Sequence, residues 1–160
     1  MSDNYQADTD FMRIALAQAK LAGELGETPV GAVIVREGEV IATGYNLRES
    51  AKCALAHAEL LAIRAACGQM DSWRLLGCTL YVTLEPCPMC AGAIINARIP
   101  RVVFGAFDPK AGCMGSVSDF GALPFNHKPE VVTGVLGEEC AQLLRDFFKK
   151  LRGKQLTNNN

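Results

Sequence analysis

The sequence has no long apolar segment, no strong charge of either sign and no block of low complexity. None of its apolar runs approaches the roughly 20 residues that a helix needs to cross a bilayer, so no membrane association is expected. The first ten residues, MSDNYQADTD, are polar and acidic, which is unlike a secretory signal. A net charge of −1 provides no overall basic field, so a nucleic acid would have to bind a local basic patch.

The chain contains only two histidines but seven cysteines, an odd number. In the absence of an export signal, this cysteine content indicates reduced thiols in a cytoplasmic protein rather than a disulfide framework. A length of 160 residues, 49% of them hydrophobic, is enough for one sizeable core. We therefore expect a single cytoplasmic domain over residues 1–160, with polar tails at about 1–8 and 154–160.

The apolar pattern predicts nine elements in the order α-β-β-α-β-α-β-β-α. The first helix is expected to begin at Asp8 or Thr9, and a turn at Glu37–Gly38 is expected to join two short strands as a hairpin. A buried helix is predicted in HAELLAIRAAC, another helix in CPMCAGAIINA, and a last helix from about Gly137 to Leu151. This order favours an α/β fold in which helices cover both faces of a mixed sheet.

Two short motifs place possible metal ligands at the beginning of two predicted helices. LAHAEL contains His57 and Glu59, and LEPCPMC contains Cys87 and Cys90. Positions two apart on a helix differ by about 200°, so His57 and Glu59 can face one metal only beside the first turn. Two helix N-termini directed at one point would also favour thiolates. Two cysteines and one histidine leave a fourth zinc position open for water, and Glu59 is the carboxylate that could act as its base.

Two other interpretations of these motifs are possible. CPMC between a strand and a helix is also typical of a thioredoxin-type redox pair, although that interpretation leaves His57 and Glu59 without a purpose. Cys53 lies four residues before His57 and could complete a four-ligand structural zinc site, which would not explain Glu59. We favour the catalytic interpretation because H-x-E together with P-C-x-x-C is the signature of zinc deaminases.

Longer stretches of the sequence resemble the bacterial tRNA-specific adenosine deaminases, from about Phe11 to Arg152. The resemblance is carried by PVGAVIV, GYN, AHAE, TLYVTLEPCPMCAGAIINARIPRVVFGA, DPKAGCMGS and ECAQLLRDFF. HAE with PCxxC alone marks only the wider cytidine-deaminase-like superfamily, whereas the block ending in FGAFDPKAG is more specific. The resemblance implies a three-layer α/β/α cytidine-deaminase-like fold with a central five-stranded mixed sheet, one zinc ion per subunit and a homodimer.

The same resemblance implies a substrate and assigns residues to it. The substrate would be adenosine at the wobble position of a tRNA anticodon, which is converted to inosine. Zinc would be held by His57, Cys87 and Cys90, and Glu59 would transfer protons. Contacts with the anticodon stem-loop are implied for Asn46, Ala58, Asp108, Lys110, Phe147 and Phe148.

The segment RDFFKKLRGK alternates basic and aromatic side chains, as an RNA-binding helix would. Lysines and arginines near a helix end also complement its dipole, so the segment alone does not establish RNA binding. The alternative function is a deaminase of free bases or nucleosides, of the guanine or cytosine type. Such an enzyme would share the zinc chemistry but would need neither this segment nor the DPKAG stretch.

Overall fold

The computed structural model describes residues 2–159, and the side chains of residues 4–159. Its elements follow the predicted order: α1 (Ser2–Glu24), β1 (Gly31–Arg36), β2 (Glu39–Tyr45), α2 (Ala58–Met70), β3 (Cys78–Leu84), α3 (Pro88–Asn96), β4 (Arg101–Ala106), β5 (Glu130–Thr133) and α4 (Gly137–Asn158). None of the helices within the described residues has the length and apolar character that crossing a membrane requires.

The five strands form one mixed sheet in the order β2-β1-β3-β4-β5. β1 is antiparallel to both β2 and β3, whereas β3, β4 and β5 are parallel. The β1–β2 hairpin turns at the predicted position, where Glu37 and Gly38 both have positive φ, at 52° and 78°. A two-residue turn with positive φ at both positions matches the right-handed twist of the strands it joins.

Each strand sends alternate residues to opposite faces of the sheet. Leu80 and Val102 pack in a core that includes residues of α2 and α3. Their neighbours Tyr81 and Val103 pack on the opposite face with residues of α1 and α4. The sheet therefore lies between two helical layers, and the expected three-layer α/β/α fold is confirmed.

The topology brings three chain segments to one edge of the sheet. β2 and β3 are both antiparallel to β1, and β3 is parallel to β4, so β2, β3 and β4 all end at the same edge. Asn46 follows β2, Cys87 follows β3 and Asp108 follows β4. The carboxyl ends of strands form the usual binding edge of α/β sheets. The candidate site residues lie at this edge.

A close approach between β2 and α2 sets the position of that helix. A Cβ atom on Gly44 would lie 2.4 Å from the carbonyl oxygen of Ala58 and 2.8 Å from the backbone nitrogen of Ala62. Only glycine therefore allows the first turn of α2 to lie this close to the strand. His57 and Glu59 are carried by that first turn, so the packing at Gly44 fixes where both side chains begin.

The predicted beginning of the first helix was wrong, because α1 begins at Ser2. Asp8 lies inside the helix and does not cap it. Its carboxylate accepts two hydrogen bonds from Arg101, at 2.8 and 2.7 Å, and one from the hydroxyl of Tyr81 at 2.8 Å. The side chain that would have served as a local cap instead joins α1 to β3 and β4.

The predicted end of the last helix was also wrong, because α4 continues to Asn158. The hydroxyl of Thr157 donates to the carbonyl oxygens of Gly153 and Lys154, a bond pattern within the last turns of the helix. Most residues after Leu151 are moderate or good helix formers, and the single glycine is tolerated at a cost of about 1 kcal/mol. The expected polar tails are therefore helical over 2–8 and 154–158, and Met1 and Asn160 lie outside the described residues.

Candidate metal centre and active site

Three side chains predicted as ligands meet at the edge of the sheet. Nδ1 of His57 lies 3.6 Å from Sγ of Cys87 and 3.6 Å from Sγ of Cys90. The ligand atoms of all three residues lie within 4.8 Å of one another. A tetrahedral zinc ion, with Zn–S of about 2.3 Å and Zn–N of about 2.0–2.1 Å, would separate nitrogen from sulfur by about 3.6 Å. The donor atoms and their spacing therefore fit a zinc ion.

Two helix N-termini position these ligands. His57 is the N-cap residue of α2 and Cys87 is the N-cap residue of α3, each with extended backbone angles. Pro88 occupies the first turn of α3, where its missing N–H would have had no helical partner. Cys90 lies one turn further along α3 and is fully buried. The positive ends of two helix dipoles thus face the ligand atoms and favour anionic sulfur.

The ionisation of the cysteines suits metal binding. The hydrogen bond from Cys90 lowers the pKa of Cys87 to about 4 against the opposing effect of burial, and a hydrogen bond from His57 adds to it. The same hydrogen bond to Cys87, together with burial, raises the pKa of Cys90. Cys87 is therefore the more acidic of the two thiols, and a thiolate is the form that binds zinc. A bound zinc ion would deprotonate the second thiol as well.

Glu59 lies beside the ligands and is buried, with only 4% of its surface exposed. It occupies the first turn of α2, two positions after the N-cap His57. Burial raises the pKa of its carboxyl, and a hydrogen bond with Cys90 partly opposes that rise. The arrangement matches the expectation that His57 and Glu59 can address one point only beside the first helical turn.

Cys53 is not part of the ligand cluster. Among the side chains of residues 4–159, the group of donor atoms that could hold a metal consists of His57, Cys87 and Cys90. Cys53 is exposed in the loop before α2. Three protein ligands leave the fourth tetrahedral position open, which is typical of catalytic rather than structural zinc sites.

A pocket of about 210 Å³ opens beside the cluster. It is lined by Thr28, Val30, Asn46, Arg48, His57, Ala58, Glu59, Leu84, Glu85, Cys87, Asp108 and Ala111. This volume is below the roughly 300–1,000 Å³ of pockets for drug-sized ligands, so it suits a single flat ring system. Three residues assigned to the substrate by resemblance, Asn46, Ala58 and Asp108, lie in this lining.

The side chain of Asn46 is held in a fixed orientation. Its Nδ2 donates to the carbonyl oxygen of Thr28 at 3.2 Å, and its Oδ1 accepts from the backbone N–H of Arg48 at 3.2 Å. Only 8% of the residue is exposed. These two hydrogen bonds therefore hold the amide group of Asn46 in one orientation at the pocket.

The remaining predicted substrate residues lie outside this pocket. Lys110 is exposed and lines a second groove along α4, together with Phe148. The other residues of this second groove are Gln142, Leu144, Arg145, Asp146, Lys149 and Arg152. Phe147 lines a different groove with Lys20 and Pro29. Adjacent positions on a helix differ by about 100°, so Phe147 and Phe148 lie on different faces of α4.

Two buried glutamates near the pocket were not singled out from the sequence. Glu27 accepts hydrogen bonds from the backbone N–H groups of Glu49 and Ser50, at 3.1 and 2.8 Å. Glu85 is 2% exposed, lines the pocket and accepts several hydrogen bonds from residues after β4. Burial would raise the pKa of Glu85, but these hydrogen bonds outweigh burial and lower it. The available signal was a charged residue directly after a buried strand, within the motif LEPC.

The fold, the three-ligand centre and the adjacent buried carboxylate define a zinc deaminase of the cytidine-deaminase-like class. Residues 5–106, more than half of the chain, match the family described as the cytidine and deoxycytidylate deaminase zinc-binding region. The tRNA-specific adenosine deaminase of Bacillus subtilis is 54% identical over 149 residues, which cover 92% of each chain.

Solved structures show the same likeness. A structure from work on A-to-I editing by tRNA:A34 deaminases at the wobble position of transfer RNA is 47% identical, with a TM-score of 0.83 over 85% of this chain and 99% of the other. A guanine deaminase from Nitrosomonas europaea is 27% identical, with a TM-score of 0.73 over 87% of this chain and 83% of the other. The chain belongs to the family of tRNA-specific adenosine deaminases.

Proposed function

We propose that this enzyme hydrolytically deaminates adenosine to inosine at the wobble position of a tRNA anticodon, working as a single zinc-dependent domain. The observation that carries the chemistry is the buried carboxylate of Glu59 beside three metal ligands, on a pocket the size of one base. The choice of an RNA substrate is supported by identity of 54% with a tRNA-specific adenosine deaminase over nearly the whole chain.

We assign the zinc ligands to His57, Cys87 and Cys90, whose donor atoms have the spacing that zinc requires. When bound there, zinc would supply an activated water through its open fourth position. The dipoles of α2 and α3 stabilise the two sulfur anions, because His57 and Cys87 are the N-cap residues of these helices and Cys90 lies in the first turn of α3.

Glu59 moves the protons of the reaction. Its carboxylate takes a proton from the attacking water and passes it to N1 of adenine while oxygen bonds to C6. It then takes the second proton from the new hydroxyl group and gives it to the amine, so that the C6–N bond breaks and ammonia leaves. A carboxyl that must act alternately as base and acid benefits from a pKa above its ordinary value, which burial provides at Glu59.

The pocket is proposed to receive one base that has left its stack. Asn46 would hydrogen-bond the polar edge of that base, since its amide is fixed by Thr28 and Arg48. Ala58, which is fully buried beneath the pocket, leaves room for the flat ring above the first turn of α2. A base in a single-stranded anticodon loop leaves its stack at lower cost than a paired base.

RNA contacts outside the pocket are proposed for Asp108 at the rim and for the second groove along α4. In that groove Lys110, Lys149 and Arg152 supply positive charge and Phe148 supplies an aromatic face. Positive charge with aromatic faces is the combination that binds single-stranded nucleic acid. Phe147, which lines the separate groove near Pro29, is proposed as a secondary contact of the same helix.

We also propose that the enzyme acts in the cytoplasm as a homodimer. None of the seven cysteines forms a disulfide, which suits a reducing compartment. Leu55, Phe107 and Val117 are each more than half exposed, as apolar residues at a subunit interface would be in one isolated chain. Sedimentation equilibrium is expected to give a mass of about twice 17.2 kDa, and a single-chain mass at micromolar concentration would contradict the dimer.

The substrate class is tested by measuring ammonia release from an anticodon stem-loop RNA with adenosine at the wobble position, and from free adenosine, guanine and cytosine. We expect release from the RNA, with inosine at the target position, and little from the free compounds. A stem-loop with guanosine at the wobble position is the matched control. Ammonia release from guanine or cytosine but none from the RNA would favour the free-base alternative. The likeness to a guanine deaminase is the observation that supports testing it.

A further inference from the structure

Glu85 has no place in the chemistry described above, yet its carboxylate is among the most fully bonded in the chain. It is 2% exposed and lies two residues before the ligand Cys87. Its Oε1 accepts from the backbone N–H of Asp108 at 3.1 Å and from the hydroxyl of Ser116 at 2.5 Å. Its Oε2 accepts from the N–H groups of Met114 and Ser116, both at 3.0 Å. All four donors belong to one loop, residues 108–116.

This 108–116 loop is wrapped around the carboxylate. A Cβ atom on Gly112 would lie 2.3 Å from the carboxyl carbon of Glu85, so the chain can pass there only as glycine. The N–H of Cys113 also donates to the carbonyl oxygen of Pro86 at 2.8 Å. The path of the loop is thus set by residues 85 and 86, immediately before the metal ligand Cys87.

The loop presents Asp108 at the rim of the pocket. The backbone N–H of Asp108 is held by Glu85, and its own Oδ1 accepts from the N–H groups of Lys110 and Ala111, at 3.0 and 3.2 Å. Both the position and the orientation of the Asp108 side chain therefore depend on how the first residue of the loop is held.

We propose that Glu85 is a positioning residue, whose buried carboxylate fixes the 108–116 loop relative to the metal ligands and so determines where Asp108 meets the substrate. The contact of Asp108 with substrate rests on the proposed function, whereas the hydrogen bonds between Glu85 and the 108–116 loop are independent of it. The positioning of the loop and its effect on substrate binding can therefore be tested separately.

The variant Glu85→Gln is informative because the two carboxylate oxygens have different partners. An amide NH₂ group cannot accept a hydrogen bond. At the Oε2 position it would face two backbone N–H groups, those of Met114 and Ser116. At the Oε1 position it would face one N–H and the Ser116 hydroxyl, which can rotate to accept. Glutamine should take the second orientation, which leaves the N–H of Asp108 without its acceptor.

The first measurement is residue-resolved amide hydrogen exchange of the zinc-loaded protein. In Glu85→Gln, exchange at Asp108 is expected to be about ten- to a hundredfold faster, as loss of one hydrogen bond to a charged group implies. Exchange at Met114 and Ser116 is expected to change by less than about threefold. Equal acceleration at all three amides, or none at Asp108, would overturn the proposal. The zinc content should stay at one ion per chain, and its loss would assign Glu85 to the metal site instead.

The second measurement is the kinetics of deamination of the anticodon stem-loop. We expect Glu85→Gln to raise KM about tenfold while kcat changes by less than about threefold, because a displaced Asp108 weakens binding and leaves Glu59 in place. A fall in kcat with an unchanged KM, or an unchanged KM despite rapid exchange at Asp108, would overturn the role in substrate positioning. A wild-type protein inactive on the RNA would instead refute the proposed function, and the exchange pattern would still test the hold on the loop.

Two further variants separate positioning from general loss of stability. Ser116→Ala removes only the hydroxyl donor and keeps all three backbone bonds, so KM should stay within about twofold of wild type. Gly112→Ala forces the loop away from the carboxylate while keeping Glu85 itself, and should raise KM as Glu85→Gln does. If Glu85→Gln does not fold, Gly112→Ala carries the test, and an unchanged KM in that variant would overturn the proposal.

Discussion

Replacing Glu59 by glutamine tests the role assigned to that side chain. The substitution keeps the shape and burial of the residue but removes its ability to carry a proton between water, N1 and the departing amine. The ligands His57, Cys87 and Cys90 are untouched, and Glu59 is not one of the three donors that meet at the metal position. We therefore expect one zinc ion per chain and a near-complete loss of turnover.

The size of the loss follows from the surroundings of the carboxyl. General acid–base catalysis by one group contributes about 10²–10⁴-fold. Glu59 is only 4% exposed, so bulk water has little access to replace its carboxyl group. Since Glu59 also acts in both proton transfers, we expect a loss at the upper end of this 10²–10⁴-fold range. A fall in kcat of about 10⁴-fold corresponds to about 5.4 kcal/mol, at 1.36 kcal/mol for each factor of ten. Glu59→Asp keeps a carboxyl displaced by about 1 Å and should lose about 10²-fold.

The assay is single-turnover conversion of adenosine to inosine in the stem-loop RNA, with zinc measured by elemental analysis on the same samples. Wild type, Glu59→Asp and Glu59→Gln should form a graded series in rate at constant zinc content. Loss of zinc from Glu59→Gln would mean that the carboxylate is a ligand. A rate within tenfold of wild type would mean that another group transfers the protons.

Other perturbations give separate tests. Cys53→Ala should keep its zinc and an activity within about twofold of wild type, because an exposed thiol outside the cluster contributes little; zinc loss would revive a four-ligand site. Asp8→Asn should lower the free energy of unfolding by about 2 kcal/mol and the melting temperature by about 4–8 °C, because it weakens the hydrogen-bonded ion pair with Arg101. Burial alone would raise the pKa of Asp8, but the bonds from Arg101 and Tyr81 outweigh burial and lower it from its ordinary 3.8. Its stabilisation is therefore present above that value and lost as pH falls through the lowered pKa, so the difference between wild type and variant in urea unfolding should shrink in acid; a growing difference would contradict this sign. Gly44→Ala should cost about 1–3 kcal/mol, because its Cβ would overlap the first turn of α2, and should speed zinc loss to a chelator.

Much of the fold was predictable because local patterns and tertiary structure agree. The hairpin at Glu37–Gly38 was predicted from two short apolar strands joined at that pair, and both residues of the turn have positive φ. The order of all nine elements was correct for the same reason, and the three residues proposed as zinc ligands lie at helix N-termini, where their motifs placed them. Short motifs encode these features directly, so a single sequence is enough to find them.

The remaining features depend on partners distant in sequence. Asp8 was taken for a helix cap, because its true partner, Arg101, lies 93 positions away. Glu27 and Glu85 went unnoticed because buried carboxylates are rare, and backbone N–H groups that could satisfy them cannot be located from sequence. Phe147 and Phe148 were grouped as neighbours, whereas the helix directs them to separate grooves.

X-ray absorption at the zinc edge of the purified protein would determine directly whether the metal has an open position for water. We expect one zinc ion per chain bound by two sulfur atoms at about 2.3 Å and by two lighter atoms at about 2.0–2.1 Å, one from His57 and one exchangeable with solvent. The spectrum should not change in Cys53→Ala, and the zinc that Cys87→Ala retains should have one sulfur neighbour instead of two. A shell of three sulfurs and one nitrogen, with no exchangeable position, would contradict a catalytic zinc site.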